Sequence, residues 1–88
     1  MKLSELPRRT AATVDAVEDH APNDAIARRL RELGFVRGER VEVMATGPVA
    51  KEPLLVQVGF TRFALRRSEA ARVTVSLDDA LAAAGVIA

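Results

Sequence analysis

The sequence has 88 residues, of which 49% are hydrophobic and 28% are charged, and it contains no cysteine. These proportions are typical of one small globular domain and exclude a disordered, fibrous or multidomain chain. Without cysteine the chain has neither disulfides nor thiolate metal sites, which fits a reducing compartment and predicts a cytoplasmic protein. The formal net charge of +1 lacks the basic excess of a typical nucleic-acid-binding protein.

No stretch of the sequence has the features of a membrane-targeting or membrane-spanning segment. Residues 1–7 lack the apolar core of a signal peptide. No later stretch approaches the roughly 18 consecutive apolar residues that a membrane-spanning helix requires. We therefore expect a soluble protein that is neither exported nor inserted into a membrane.

The first two predicted elements are a strand and an amphipathic helix. Residues 10–17 predict a strand, in which Val14 and Ala16 alternate with their neighbours as inward positions. A polar connection follows, and residues 24–33 predict a helix. Asn23 directly precedes this helix and is a suitable N-cap, because its side chain can accept a hydrogen bond from the first turn.

The apolar positions of this helix predict its buried face and its end. Ile26, Leu30 and Leu33 recur at i, i+4 and i+7 and form one inward stripe. Gly34 follows at the position that favours a left-handed residue after a helix, and Phe35 is then placed to contact Leu30. We expect the helix to end there.

The middle of the chain predicts a second strand followed by a loop. Residues 41–45 alternate between apolar and other side chains, and Val41, Val43 and Ala45 are expected to face inward. Residues 46–53 contain Gly47, Pro48 and Pro53, and proline opposes the continuation of a strand ladder. The second strand is therefore expected to end before a loop.

A tight hairpin is the clearest strand signal in the sequence. In residues 54–58 the side chains alternate between the two faces of the strand, and Leu54, Val56 and Val58 are expected to face inward. Gly59 and Phe60 suit a two-residue turn with glycine first, and residues 61–66 then return antiparallel. Phe60 is expected at the exposed tip.

The last part of the chain predicts a helical turn over residues 67–71, a fifth strand over 72–76 and a second helix over 77–84. Five short strands in so small a chain are most economically closed into a barrel without exposed edges. We predict one mostly β domain over residues 1–88, with a barrel over about 3–76, one inserted α-helix and a short helical extension over 77–88. The apolar face of the extension, which packs on the barrel or meets a partner, consists of Leu77, Leu81 and Ala84.

Two segments resemble the FeoA family. Residues 29–38, RLRELGFVRG, resemble the family's R-L-x-x-L-G-hydrophobic-x-x-G segment, and residues 63–70, FALRRSEA, are similar to its A-L-R-x-x-E-A signature. The order and spacing of the segments between them extend the resemblance over about residues 3–76. The SH3-like barrel of that family agrees with the strand count reached from the pattern alone. The chain departs from the family at Arg9 and at Lys51, where the family usually has glycine.

The resemblance implies a non-enzymatic accessory protein of bacterial ferrous iron uptake. Such a protein binds the FeoB membrane transporter, or its cytoplasmic GTP-hydrolysing domain, and supports or regulates Fe2+ transport by contact without carrying the ion. The resemblance leaves open whether the protein forms a homodimer.

Exposed aromatic and arginine residues are the candidates for partner contact, because interfaces centre on such anchors. Phe35 and Phe63 are expected to pack in the core, so Phe60 is the preferred anchor. An arginine donated to the partner's GTPase site is one further role, for which Arg29 is also a candidate. The arginines predicted to bind the partner lie on the helix, on the strand after the hairpin and on the turn that follows it: Arg28, Arg31, Arg62, Arg66 and Arg67.

No resident metal centre or catalytic centre is expected. The familiar Fe(II) arrangement uses two imidazoles and one carboxylate, whereas His20 is the only histidine. The alternative is a weak divalent site formed by His20 with Asp19 and Asp24. The sequence also lacks a glycine-rich phosphate loop and a second histidine for a catalytic triad.

A different class of function is a regulatory or single-stranded nucleic-acid-binding module. Small barrels can stack bases on aromatic side chains above a basic groove, and Phe60 has arginines near it in sequence. The low net charge, the absence of Tyr and Trp and the acidic segment over residues 15–24 oppose this function. A similar barrel occurs in metal-dependent repressors, where the present chain would correspond to a regulatory contact module.

Overall fold

The structure is a computed structural model in which residues 1–77 are described. The mostly β class, with five strands and one inserted helix, is confirmed. The elements in chain order are a 3-10 turn Leu3–Glu5, β1 Ala11–Val17, α1 Ala25–Leu33, β2 Arg40–Val49, β3 Glu52–Val58, β4 Thr61–Leu65, α2 Arg67–Ala70 and β5 Val73–Leu77.

The five strands form one antiparallel sheet in the order β4-β3-β2-β1-β5. Within residues 1–77 no ladder joins β4 to β5, so the sheet keeps two edge strands. The complete closure expected from the sequence is therefore not made by hydrogen bonds. The 3-10 turn packs against both α2 and β5, so that helical turns link the two ends of the sheet.

Valines and leucines at inward strand positions build the core. Leu54, Val56 and Val58 of β3 are all buried, as their alternation predicts. Phe35 is the largest fully buried side chain and joins the end of α1 to the sheet. The burial of apolar surface by these residues is the main stabilising contribution to a domain of this size.

Two β-bulges change which residues face the core. In β1 the register with β5 shifts between Val14 and Ala16, so that Ala16 is exposed and Val17 is buried. In β2 the register with β3 shifts between Val43 and Ala45, and Ala45 is exposed. The predicted inward positions of both alanines are therefore wrong, because an extra residue moves the following side chains to the opposite face.

The predicted loop over residues 46–53 is mostly strand. β2 runs to Val49 and β3 begins at Glu52, leaving a short turn between them. The register of this pair shifts again near its end, and neither Pro48 nor Pro53 has a ladder partner. Because neither proline is at a paired position, their lack of an N–H group removes no hydrogen bond from the ladder. The two strands can therefore include both prolines.

Gly47 lies close against the backbone of the facing strand. A Cβ atom at this position would overlap the backbone carbonyl of Glu52 and would lie 2.9 Å from the Cδ atom of Pro53. The close approach therefore requires glycine.

α1 begins one residue later than the sequence predicts. Its N-cap is Asp24, whose Oδ1 atom accepts hydrogen bonds from the backbone N–H groups of Ile26 at 3.1 Å and Ala27 at 3.3 Å. The predicted cap, Asn23, instead has a φ of +56° in the left-handed region. A carboxylate accepts these bonds at least as well as an amide and also complements the helix dipole.

The end of α1 confirms the prediction. Gly34 has a φ of +115°, and the Phe35 N–H donates to the Leu30 carbonyl at 3.1 Å. The Gly34 N–H donates to the carbonyls of both Leu30 and Arg31. This pattern of hydrogen bonds is a Schellman motif.

The N-terminus and β5 lie together at one edge of the sheet. The Met1 amino group donates to the Val75 carbonyl at 3.1 Å, and the Val75 N–H donates to the Met1 carbonyl at 2.8 Å. Lys2 forms an isolated bridge with Thr74. These contacts cover the outer edge of β5.

The first residue of the predicted C-terminal helix belongs to β5 instead. Leu77 is the last residue of β5, pairs with Ala12 and is 47% exposed. The ladder with β1 extends the strand by one residue beyond the predicted boundary. Leu81 and Ala84 lie outside the described residues.

A candidate partner-binding groove

A groove with a volume of about 500 Å³ lies between α1 and β4. We call it the α1–β4 groove. Most of the lining residues are apolar, and two arginines and one glutamate complete the lining. α1 contributes Ala25, Ile26, Arg29, Leu30 and Leu33, and β4 with α2 contributes Arg62, Phe63, Ala64, Leu65 and Glu69.

The inward residues of β4 form one wall of the groove. Leu65 is buried, and Phe63 is half-buried. The ring centroid of Phe63 lies 6.0 Å from that of buried Phe35, with 48° between the ring planes, a tilted arrangement that favours aromatic contact. Phe63 therefore packs on the core, as expected, while part of it faces the groove.

The opposite wall is formed by α1, which begins after its N-cap at Asp24. The helix turns Ala27 and Leu30 into the core, leaving Ile26 38% exposed and Leu33 half-buried. The predicted inward stripe is therefore wrong at Ile26. The sequence is also compatible with this arrangement, because Ala27 and Leu30 recur at i and i+3 and so lie on one face of the helix.

Phe60 is fully exposed at the tip of the β3–β4 hairpin, with a relative accessibility of 105%. Gly59 has a φ of +58°, and Val58 pairs with Thr61, so the predicted two-residue turn is confirmed. The hairpin thus presents an aromatic ring to solvent at the end of the strand that lines the groove. Its proposed role as a partner anchor stays a prediction.

The arginines predicted to bind a partner do not lie together. Arg62 lines the groove, and its Nε atom donates to the Gln57 Oε1 atom at 3.0 Å. Arg28 and Arg66 are exposed outside the groove lining. Arg29, which was weighed only for a GTPase role, lines the groove opposite Arg62.

Arg31 and Arg67 lie at two further surfaces, away from the α1–β4 groove. The Arg31 Nη2 atom donates to the Val17 carbonyl at 2.7 Å and pairs with Asp19 at 3.2 Å, which fastens α1 to the end of β1. Arg67 lines a second, more polar pocket of about 470 Å³, together with Arg8 and Lys51. The predicted arginine set therefore includes residues of three separate surfaces.

Comparison with known proteins identifies the family. A FeoA domain model matches residues 1–77. The chain belongs to the FeoA family. It is similar to the FeoA of Stenotrophomonas maltophilia, solved as a zinc complex and described as a prokaryotic SH3 domain protein, with 70% identity and a TM-score of 0.81. That alignment covers 86% of this chain and 89% of the other.

Other solved structures extend the similarity within the FeoA family and beyond it. The FeoA of Chlorobium tepidum is 37% identical with a TM-score of 0.75, over 89% of this chain and 70% of that one. A T. acidophilum IdeR structure is 17% identical with a TM-score of 0.71, over 89% of this chain and 34% of the other, and shares the fold alone. A search of curated proteins found no match.

The alternative metal site predicted from the sequence used Asp24 as one of its two acidic ligands. In the structure the Asp24 carboxylate is occupied by hydrogen bonds within the fold. Its Oδ2 atom accepts hydrogen bonds from Arg72 Nε at 2.7 Å and from the His20 backbone N–H at 2.8 Å. Asp19 pairs with Arg31. Among residues 1–77, no group of three or more His, Asp or Glu side chains is arranged to hold a metal ion. The structure therefore gives this alternative no geometric support.

The same contacts predict an acid dependence of stability. The hydrogen bond from Arg72, and then that from the His20 backbone, hold the pKa of Asp24 well below its ordinary value of 3.8. Its stabilising contribution is therefore fully present above pH 3.8 and is lost as the pH falls through the lower folded-state pKa. We expect Asp24→Asn to flatten, without abolishing, the fall in unfolding free energy at acid pH, since the pKa of Glu18 is also lowered, by Lys2.

Urea unfolding at a series of pH values below neutrality tests this expectation. Glu32→Gln is the control for removing one negative charge. The Glu32 side chain is exposed and makes no hydrogen bond or ion pair in the described part of the chain. An Asp24→Asn variant that retained the wild-type acid dependence would contradict the assigned contacts.

None of the helices in residues 1–77 has the length and apolar character needed to cross a bilayer.

Proposed function

We propose that this FeoA-family protein is a non-catalytic accessory protein of bacterial ferrous iron uptake, which binds the FeoB transporter from the cytoplasmic side. The observation that carries the proposal is the α1–β4 groove, whose lining residues are mostly apolar and include Arg29 and Arg62, together with the exposed ring of Phe60 in the hairpin turn that precedes β4. Apolar and aromatic anchors ringed by arginine are the usual composition of a protein-binding surface.

The ionisable groups with shifted pKa values support a binding role over a catalytic one. Glu18 pairs with Lys2, and Asp24 pairs with Arg72 while it caps α1. Both carboxylates thus hold elements of the fold together, and neither lines the groove. Shifted pKa values accompany structural ion pairs as well as catalytic sites.

Membership of the family and the descriptions of its solved structures support the choice of partner. The Stenotrophomonas maltophilia protein is described as a candidate ferrous iron transport activating factor, and a Clostridium thermocellum protein, 28% identical with a TM-score of 0.76, as iron(II) transport protein A. The latter match covers 89% of this chain and 46% of that one. An activating factor without chemistry of its own acts by contact, which is the role proposed here.

We treat Fe2+ as the cargo of the transporter and assign this chain no resident metal. Asp24 and Asp19, the acids near His20, are engaged by arginines. Because the Stenotrophomonas maltophilia relative was solved with zinc, binding is best measured both with and without a divalent ion.

The rival nucleic-acid function has less support. Of the aromatic side chains, Phe35 is buried and Phe63 half-buried, which leaves Phe60 as the one fully exposed ring in the described residues. A stacking platform for successive bases needs several such rings.

Phe60→Ala is expected to weaken binding to the soluble GTPase domain of the cognate transporter by about tenfold, because the ring is a large apolar anchor with no packing role in this fold. Isothermal titration of the metal-free protein, repeated with Fe2+, measures the affinity. Val49→Ala is the matched control, since Val49 is an apolar residue 77% exposed at the end of β2, where it pairs with Glu52 at the end of β3 away from the hairpin.

Each outcome of this titration has a definite meaning. Saturable binding without metal that is weakened by Phe60→Ala and unchanged by Val49→Ala supports the function and its location. Equal loss in both variants would argue against a contact at the hairpin tip. Absence of binding to the GTPase domain and to the detergent-solubilised transporter would overturn the proposed function.

A further inference from the structure

The two edge strands of the sheet differ in how their outer backbone groups are satisfied. At β5, Met1 exchanges two backbone hydrogen bonds with Val75. At β4, no backbone hydrogen bond joins the outer edge to any other segment of residues 1–77. An unpaired strand edge is a template for another extended chain, and proteins usually cover it unless it has a use.

The hairpin turn determines which groups of β4 point outward. A two-residue turn makes its flanking residues, Val58 and Thr61, a hydrogen-bonded pair. Hydrogen-bonded and non-hydrogen-bonded pairs then alternate along an antiparallel ladder. Arg62 and Ala64 are therefore in non-hydrogen-bonded pairs, and their N–H and C=O groups point away from β3.

The α1–β4 groove lies beside this edge and leaves room for another strand. Phe63 and Leu65 point toward the core, whereas Arg62 and Ala64 alternate with them and are exposed, and all four residues line the groove. Side chains of a strand alternate between the two faces. An added strand would therefore place every second side chain next to Phe63 and Leu65, and the side chains between them next to Arg62.

The charge of the groove indicates which side chains of an added strand would lie next to Arg62. Arg62 uses its Nε atom on Gln57, and its two terminal nitrogens donate no hydrogen bond within residues 1–77. Arg29 adds a second guanidinium from the facing helix. Glu69, the one acid in the lining, already accepts a hydrogen bond from the Arg66 N–H at 2.7 Å. Directly opposed arginine and carboxylate side chains stabilise a pair of strands.

We infer that the partner binds by adding an extended segment to the outer edge of β4 as a sixth strand, with apolar residues at alternate positions and an acidic residue beside Arg62. This inference rests on the proposed function and specifies how the partner is recognised. Backbone hydrogen bonds to Arg62 and Ala64 contribute affinity, and the groove and the arginines contribute specificity, as in other cases of strand addition.

The first test is a variant that removes one outward N–H group. Ala64→Pro deletes this donor without removing a ladder bond to β3, and proline is tolerated on an edge strand when its nitrogen faces outward. Binding to the transporter's GTPase domain, or to the solubilised transporter, is expected to weaken by about tenfold. Ala64→Ser retains the N–H group in a side chain of similar size and is expected to bind within about twofold of the wild type.

The second test uses the unaltered protein and does not depend on how well the proline variant folds. In the complex, amide hydrogen exchange at Arg62 and Ala64 is expected to slow by at least about tenfold, because these groups acquire hydrogen-bond acceptors. Saturable binding without this protection, and with full affinity in Ala64→Pro, would overturn strand addition while leaving the proposed function intact. Absence of any binding by the wild type would overturn the proposed function itself.

Discussion

A Phe35→Ala variant is expected to lose about 3–5 kcal/mol of unfolding free energy, the usual cost of truncating a fully buried phenylalanine. Phe35 is 1% exposed and is the largest fully buried side chain among the described residues. Total stability for a domain of this length is on the order of 5–10 kcal/mol. The substitution therefore removes a large part of the stability that holds α1 against the sheet.

Urea unfolding followed by circular dichroism measures this loss, since the sequence has no Trp or Tyr to serve as a fluorescent probe. Val36→Ala is the control, because Val36 is the next residue and is 45% exposed. Its effect is expected to stay within about 0.5 kcal/mol. A Phe35→Ala variant as stable as this control would show that Phe35 is not a core residue.

Gly47→Ala is expected to destabilise the protein by about 3 kcal/mol, at the upper end of the usual range for overpacking. The added methyl group would overlap the Glu52 carbonyl and approach Pro53 Cδ, and Glu52 is held in place by its pairing with Val49 in the β2–β3 ladder. Gly47 is not among the residues with positive φ, so the expected cost comes from steric overlap and not from backbone conformation.

Thermal unfolding of Gly47→Ala and of Pro48→Ala tests this explanation. Pro48 is exposed and has no ladder partner, so its substitution is expected to change the unfolding free energy by less than about 0.5 kcal/mol. Similar melting temperatures for the wild type and Gly47→Ala would mean that the strands separate without cost, contrary to the close approach at this position.

Side-chain alternation and turn chemistry account for how much of the fold was predictable. Leu54, Val56 and Val58 alternate without interruption, and Gly59 marks the turn, so the hairpin followed from local pattern. The positions of β-bulges cannot be predicted from the local sequence pattern, because an extra residue in one strand is defined only by its pairing with the neighbouring strand. For this reason the orientation of Ala45 was predicted wrongly.

The candidate site was less predictable, because it depends on how the helix is rotated relative to the sheet. Phe60 and Arg62 were selected from sequence as exposed residues at or next to a turn; the structure places Arg62 in the groove lining and leaves Phe60 exposed in the turn before β4. Ile26 was assigned to the inward stripe because it recurs with Leu30 and Leu33 at i, i+4 and i+7. In the structure α1 turns Ala27 and Leu30 toward the core and leaves Ile26 at the groove.

The unequal protection of the two sheet edges also limits how copies of the protein can associate. A filament built by strand pairing needs two free edges on each copy, one to accept and one to donate. In the described residues the N-terminal segment of Met1 and Lys2 occupies the β5 edge, which leaves β4 as the free one. Pairing of β4 with β4 about a two-fold axis would use the free edge of both copies, so self-association by this route closes at a dimer and competes directly with the partner's strand.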